Sequence, residues 1–393
     1  MLLLVAMVFV VALGYGAGLP LLQLYLGPYL VGATAPTLSW HVGTLGGTYT
    51  FALFLFAPVW GRLSDRTGRT WVLVAGFAAF LLGTAAGAVA PNLASVYLAR
   101  LLAGAGAAAI VPTAQAYISD ISTPAERNRR FVLLGSASFV GFLAGPVFGT
   151  WAAGPIMGMR VESMPAMVNW PALAMALGAL PLLLLAPWSL DRASAAPERD
   201  LPQRISPERR RFVLSSMALA LLASFAVGTF EVGFTLFGGQ TLGLASGTMA
   251  LMFITCSLAM LAAQSTLLLQ GVRRRINQRW VAALFGASAL ALTFTSAVPG
   301  AASLSLLIAV VASGIGMVAP VLSYELLERH AGRRGALLGR QAAAGNLGQA
   351  LGAVSAGTVF AWHPAAPFWA AALVLLLGAG VALASWGPAR DGG

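Results

Sequence analysis

Apolar runs of about 20 residues recur from one end of this chain to the other, and their length decides what it can fold into. A bilayer's hydrocarbon core is about 30 Å thick and a helix rises about 1.5 Å per residue, so each run suits one crossing. A window of about 19 residues finds twelve candidates, at about 3–28, 39–60, 71–90, 93–119, 131–153, 167–188, 212–238, 247–270, 280–298, 302–325, 337–361 and 365–386. Lipid offers no water to backbone N–H and C=O groups, so each run must bond internally as a helix. The expected fold is therefore an all-α integral membrane protein with twelve transmembrane helices. The composition agrees: 59% of the 393 residues are hydrophobic and 9% charged, against roughly 25% charged in a soluble domain. The first run starts at Met1, is too long for a signal-peptide core and lacks a clear cleavage site, so it is expected to be retained.

The net charge of +11 would suggest nucleic acid as the partner of a soluble protein. Where the charges fall excludes that. All 23 basic residues are arginine, and nearly all lie in alternate loops: Arg62, Arg66 and Arg69; Arg127, Arg129 and Arg130; Arg192 through Arg211; Arg273 through Arg279; Arg329 through Arg334. The intervening loops carry only Arg160. Such alternation places both termini and the 189–211 loop in the cytoplasm, so the basic balance encodes orientation, with affinity for anionic lipid as a lesser consequence. The absence of lysine beside abundant Arg, Ala and Gly points to a GC-rich, bacterial genome and hence to the cell membrane. The lone Cys256 rules out an internal disulfide and reads as a small packing residue.

Between Trp188 and Phe212 the chain turns polar, with proline and charge in place of apolar periodicity. The expected organisation is a six-helix half over 1–188, a cytoplasmic linker over 189–211 and a second half over 212–393. The halves share a repeat. At a constant offset of 207, Tyr117 falls on Tyr324, Arg127 on Arg334, Gly141 on Gly348 and Gly145 on Gly352. Paired halves, each an inverted pair of three-helix units, characterise a large class of secondary transporters whose site lies between the halves.

The stretch GRLSDRTGRT, residues 61–70, concentrates charge between two apolar runs. Its pattern of Gly61, Leu63, Asp65, Arg66, Gly68 and Arg69 resembles the signature that the major facilitator superfamily carries in this same loop. Two glycines suit a tight reversal, while Asp65 and the arginines can pair with groups at other helix ends. The resemblance implies a cytoplasmic latch in which the aspartate meets the start of the eleventh helix, near 335–340, and Arg69 meets Asp120 at the end of the fourth. The competing reading is a solvated turn whose arginines only set topology. The matching loop of the second half has no aspartate.

Two more stretches extend the resemblance. ARLLAGAGAAAIVP, with Arg100, Gly104 and Gly106, is similar to the family's fourth-helix pattern. Arg100, Gly104, Val111 and Gln115 recur at helical spacing, so Arg100 either faces a cavity or snorkels to water from the helix's outer end. GFLAGPVFGT resembles the motif that marks antiporters in the superfamily, through Gly141, Gly145, Pro146 and Gly149, with Thr150 in place of its last glycine. Small residues there let two helices approach closely, and the motif implies exchange rather than uptake. The first helix, with GYGAGLPLLQLY, is similar to that of drug:proton antiporters, but Val11 or a neighbour stands where many members carry an acid.

Within the expected spans Glu231 is the one acid well away from an end. Ser224, Gly228, Glu231, Thr235 and Gly238 form a small, polar stripe at helical spacing, as on a helix lining a wet cavity. A carboxyl whose hydration changes as a cavity alternates can load and release a proton. A permanently protonated glutamate that joins two helices is the other reading.

The expected substrate cavity takes in Tyr15, Arg100, Gln115, Glu231, Thr235, Gln264, Gln341 and Asn346 among apolar side chains. It suits a small amphipathic compound, drug-like and exchanged for protons. An endogenous metabolite, a metallophore and an uncoupled facilitator stay open. No cofactor, metal or catalytic constellation is expected, because His41, His330 and His363 are scattered and no Gly-x-x-x-x-Gly-Lys phosphate loop is present. One chain is expected to suffice as a monomer.

Overall fold

The computed structural model describes residues 1–153, 168–190, 207–269, 276–298, 301–329 and 334–385. Arg160, Arg273 to Arg275 and residues 191–206 of the expected linker lie outside them. The described residues form helices and short connections, with no strand among them. In chain order the helices are α1 (Leu2–Tyr29), α2 (Ala35–Thr67), α3 (Arg69–Ala88), α4 (Leu93–Ile121), α5 (Pro124–Ala153), α6 (Trp170–Ser189), α7 (Pro207–Leu236), α8 (Ser246–Ser265), α9 (Gln278–Phe294), α10 (Ala301–Arg329), α11 (Arg334–Phe360) and α12 (Ala366–Ser385). Each apolar run coincides with one of them. Ten helices among the described residues are long and apolar enough to cross a membrane. Outside that group are α9, with 17 residues, and α11, whose apolar character is broken by Gln341, Asn346 and Gln349.

Helix starts carry their own signals. Asn92 and Ser95 form a reciprocal capping box ahead of α4, with Ser95 N–H donating to Asn92 Oδ1 at 2.9 Å and Asn92 N–H to Ser95 Oγ at 3.2 Å. Asn169 and Asn277 cap α6 and α9 through Ala172 N–H and Trp280 N–H.

Several helices outrun their apolar stretches on the arginine-rich side. α2 continues to Thr67, so residues 61–67 are its last two turns rather than a loop, and Gly61 is an ordinary helical residue. Gly68 alone makes the reversal, at φ +97, where a side chain would be strained. α5 likewise begins at Pro124 and carries a Glu126–Arg130 pair at 3.4 Å. Polar side chains and i,i+4 pairs support helix in water as apolar ones do in lipid, so hydropathy marks the crossing and not the helix end.

The chain divides into two compact units, Met1–Glu198 with Leu242–Leu251, and Arg199–Thr241 with Met252–Gly393. In the first, a core of Leu73, Phe77, Phe80 and Ile110 is fully enclosed. α1 and α5 touch backbone to backbone: a Cβ on Gly145 would lie 2.6 Å from Ala17 N, and one on Gly149 2.6 Å from Ala17 O. Pro146 has no N–H for the carbonyl of Phe142, and that oxygen instead faces Gly16, where a Cβ would stand 2.5 Å away. In the second unit α7 and α11 form the corresponding seam. A Cβ on Gly348 would lie 2.9 Å from Leu221 C, and one on Gly352 2.9 Å from Phe225 C. Gly348 and Gly352 are the counterparts of Gly141 and Gly145 at offset 207, so the repeat preserves a packing function.

Large apolar side chains such as Leu98, Leu184, Leu290, Leu306 and Leu373 are more than half exposed. On a soluble protein they would be an aggregation hazard; on this one they are the surface that meets lipid.

Candidate functional site

At the arginine-rich end of the first unit, Arg69 gathers two acids. Its Nη1 donates to Asp65 Oδ1 at 2.6 Å and to Ser64 Oγ at 3.0 Å, and its Nε donates to Asp120 Oδ2 at 3.1 Å. The ends of α2, α3 and α4 are thereby tied through one guanidinium. Gly68 makes this possible by starting α3 one residue after α2 ends, which swings Arg69 over Asp65. Arg69 and Asp120 are largely shielded, with side chains 13% and 21% exposed, whereas Asp65 is 66% exposed. Arg66 points outward. The stretch 335–340 belongs to the second unit.

Farther along the first unit, Arg100 is drawn inward rather than snorkelling to solvent. It lies two turns into α4 and, at about 1.5 Å per residue, about 30 Å from Asp120 on the same helix. Its Cζ stands 4.8 Å from the centroid of the Tyr49 ring, and Tyr49 stacks on Tyr15 at 5.4 Å. Tyr15 and Arg100 are thus joined through an aromatic residue of α2. A cavity of about 90 Å³ inside this unit is lined by Arg100 with Tyr25, Tyr49, Thr84, Asn169 and Met175. Gly104 is not at the cavity; it seats α4 on the Tyr49 backbone, where a Cβ would be 2.6 Å from the carbonyl oxygen. Gln115 is exposed and stands apart from this group.

In the second unit Glu231 is 7% exposed and accepts a hydrogen bond at 3.0 Å from Nε2 of Gln349 on α11. The stripe around it faces α11 directly instead of open space. A Cβ on Gly228, one turn before Glu231, would lie 2.9 Å from Gln349 C. Gly228 therefore brings the α11 backbone close enough for Gln349 to reach the carboxyl. Thr229 Oγ1 donates across the same seam to Gly352 O at 3.2 Å. Thr235, fully buried, donates to the carbonyl of Glu231 at 2.8 Å. An amide suits a carboxyl that changes protonation, since its NH₂ serves the carboxylate and its carbonyl, after a flip, serves the acid.

The remaining expected cavity residues of this unit are engaged in other ways. Gln264 Nε2 donates to Gly316 O at 2.9 Å. Gln341 is 5% exposed and donates to Ala319 O and Ser323 Oγ, both at 3.1 Å. Asn346 is half-buried. Cys256 is buried, its Sγ 3.7 Å from Ile308 O. Among the described residues no cluster of His, Cys, Asp or Glu could hold a metal ion.

Sequence reasoning did not single out Gln349, Tyr49, Thr84 or Asn169, and noted Tyr25 only within the first-helix resemblance. For Gln349 a signal existed: it follows Gly348 on a packing stripe, at the offset where the first half has Phe142. A polar residue on an intramembrane seam is uncommon enough to mark a functional candidate.

A bundle of apolar helices in two repeated halves, with a buried acid on one intramembrane seam, defines a multi-pass membrane transporter rather than an enzyme. The family model described as Major Facilitator Superfamily matches residues 4–332, and the chain belongs to that superfamily. It is 22% identical over 386 residues to Multidrug resistance protein 2 of Bacillus subtilis (strain 168), covering 97% of this chain and 94% of that protein. It is 43% identical over 110 residues to the class C tetracycline resistance protein of Escherichia coli, covering 28% of this chain and 27% of that one. Quinolone resistance protein NorA of Staphylococcus aureus is 23% identical over 231 residues, covering 58% of this chain and 56% of that one. Among solved structures, a D-xylose-proton symporter superposes with a TM-score of 0.79 at 14% identity, covering 98% of this chain and 97% of the other.

Proposed function

We propose that this protein exports a small amphipathic compound in exchange for protons by alternating access, acting as a monomer in a bacterial cell membrane with both termini cytoplasmic. The observation that carries the reading is the buried Glu231 held by Gln349 across the α7–α11 seam. A carboxyl in that setting is costly to leave charged and unpaired, so its protonation responds to whatever opens or closes the seam. Protonated, it is neutral and compatible with a closed apolar seam; deprotonated, it calls for water or a cationic substrate group. Names among the relatives, two of them resistance proteins for multiple drugs or quinolones and one for tetracycline, support a drug-like substrate.

The test is proton movement in liposomes holding the purified protein and a pH-sensitive dye, with cationic, neutral and anionic amphiphiles added in turn. Proton release from an acidic lumen on adding one class, lost in Glu231→Gln, establishes exchange and names the substrate type. Passage of labelled compound with no proton movement in any case makes the protein an uncoupled facilitator. Response to a single metabolite or metal chelator makes it a dedicated exporter.

A further inference from the structure

A guanidinium carries five N–H donors and no acceptor. Arg100 has its face covered by Tyr49, yet its Nε and Nη2 are sealed from solvent and no described group accepts a hydrogen bond from them. Nor does a described acid of the first unit balance the charge. Asp65 and Asp120 share Arg69, and Glu126 pairs with Arg130, all at the end of the bundle about 30 Å away along α4. A buried cation left in this condition is expensive, and the expense is relieved when an anion reaches it.

The surroundings are built for a small one. The cavity of about 90 Å³ beside Arg100 has room for a small anion. Thr84 and Asn169 supply polar atoms to its lining, and Tyr25 and Tyr49 aromatic walls. Gly18 borders the same space. A Cβ there would have as its three nearest atoms Nη1 and Nη2 of Arg100, both at 3.5 Å, and Cζ at 3.9 Å, so a side chain at this position would rest against the guanidinium at the cavity wall. We propose that Arg100 and this cavity form a binding site, inside the first six-helix unit, for one singly charged anionic group the size of chloride or a carboxylate. The site is independent of the direction of transport and of Glu231.

The experiment is thermal unfolding of the purified protein in detergent at constant ionic strength, with a bulky zwitterionic sulfonate buffer salt replaced by chloride, formate, acetate or octanoate at about 100 mM. Occupancy of a site present only in the folded state should raise the midpoint by roughly 3 °C or more. Two variants bear the test: Arg100→Gln, and Gly18→Ala, whose methyl suits the helical φ of −72 and lies in ordinary contact with Nη1 and Nη2, narrowing an anion's approach to them. Loss of the anion response in both, with helical circular dichroism retained, is the expected result. If Arg100→Gln does not fold, Gly18→Ala decides alone. A response to chloride identifies a free inorganic ion as the occupant, and one to octanoate without chloride identifies the carboxylate end of an amphiphile. A parent protein indifferent to every anion overturns the proposal, as does an unchanged response in Gly18→Ala.

Discussion

Nε2 of Gln349 lies 3.0 Å from Oε2 of Glu231, and the two side chains meet where Gly228 lets the backbones of α7 and α11 touch. A carboxyl bonded across two helices can report the separation of those helices as a change in its own protonation. The same contact serves a merely structural glutamate, so the consequences of altering it are what distinguish the two.

Glu231→Gln keeps the size of the side chain and its capacity to bond Gln349 but removes the titration. Gradient-driven export should fall at least tenfold while the protein remains folded in the membrane. Binding of a neutral substrate should be nearly unchanged. Counterflow of labelled compound without a gradient separates the outcomes: retained counterflow with lost uphill export is the expected result, and unimpaired uphill export removes Glu231 from coupling.

Gln349→Leu tests the partner. Leucine fills the seam but offers no donor, so the carboxylate form of Glu231 loses about 1.5–3 kcal/mol of charge-assisted hydrogen bonding. If Glu231 carries the proton, the pH profile of transport should change position when this donor is lost. A profile of unchanged position and merely lower height indicates that Gln349 acts through packing.

Much of this arrangement could be read in advance, and the parts that could not share a cause. Glu231 was legible because an acid is rare in an apolar run, and the helices because run length and bilayer thickness coincide. Gln349 was obscure because a glutamine suits a surface, a seam or a cavity equally, and only the path of α11 shows which. The Tyr49–Arg100 contact joins two helices by a side-chain direction that spacing within either helix does not reveal. Gly61 misled in the opposite sense: a glycine between apolar runs suggests a turn, yet Arg62, Asp65 and Arg66 sustain the helix past it into water.

The glycine seam makes a prediction about stability. Gly348→Ala would drive a methyl into the Leu221 backbone, which cannot move aside as a side chain does, and should cost about 1–3 kcal/mol. Gly135→Ala, exposed on α5 with nothing within 4 Å of the added methyl, should instead stabilise by up to about 1 kcal/mol through helix propensity. Unfolding midpoints of the two variants should move in opposite directions. Equal changes would mean that the α7–α11 contact is looser than the structure has it.

Arg69 holds Asp65 and Asp120 at once, and this sharing ranks the variants. The Asp65 pair, 66% exposed on the acid's side, belongs with surface ion pairs of about 0.2–1 kcal/mol. Asp120 is better shielded and joins α3 to α4, so Asp120→Asn should destabilise more than Asp65→Asn. Because both acids act on one guanidinium, the double variant should depart from the sum of the single ones by about 0.5 kcal/mol or more. For transport the latch reading orders them differently. Asp65, the more exposed acid, has capacity left for a second partner, and Asp65→Asn should slow turnover with little change in ligand affinity. A turnover rate equal to the parent's at matched expression would leave Asp65 as a solvated residue that only helps seat Arg69.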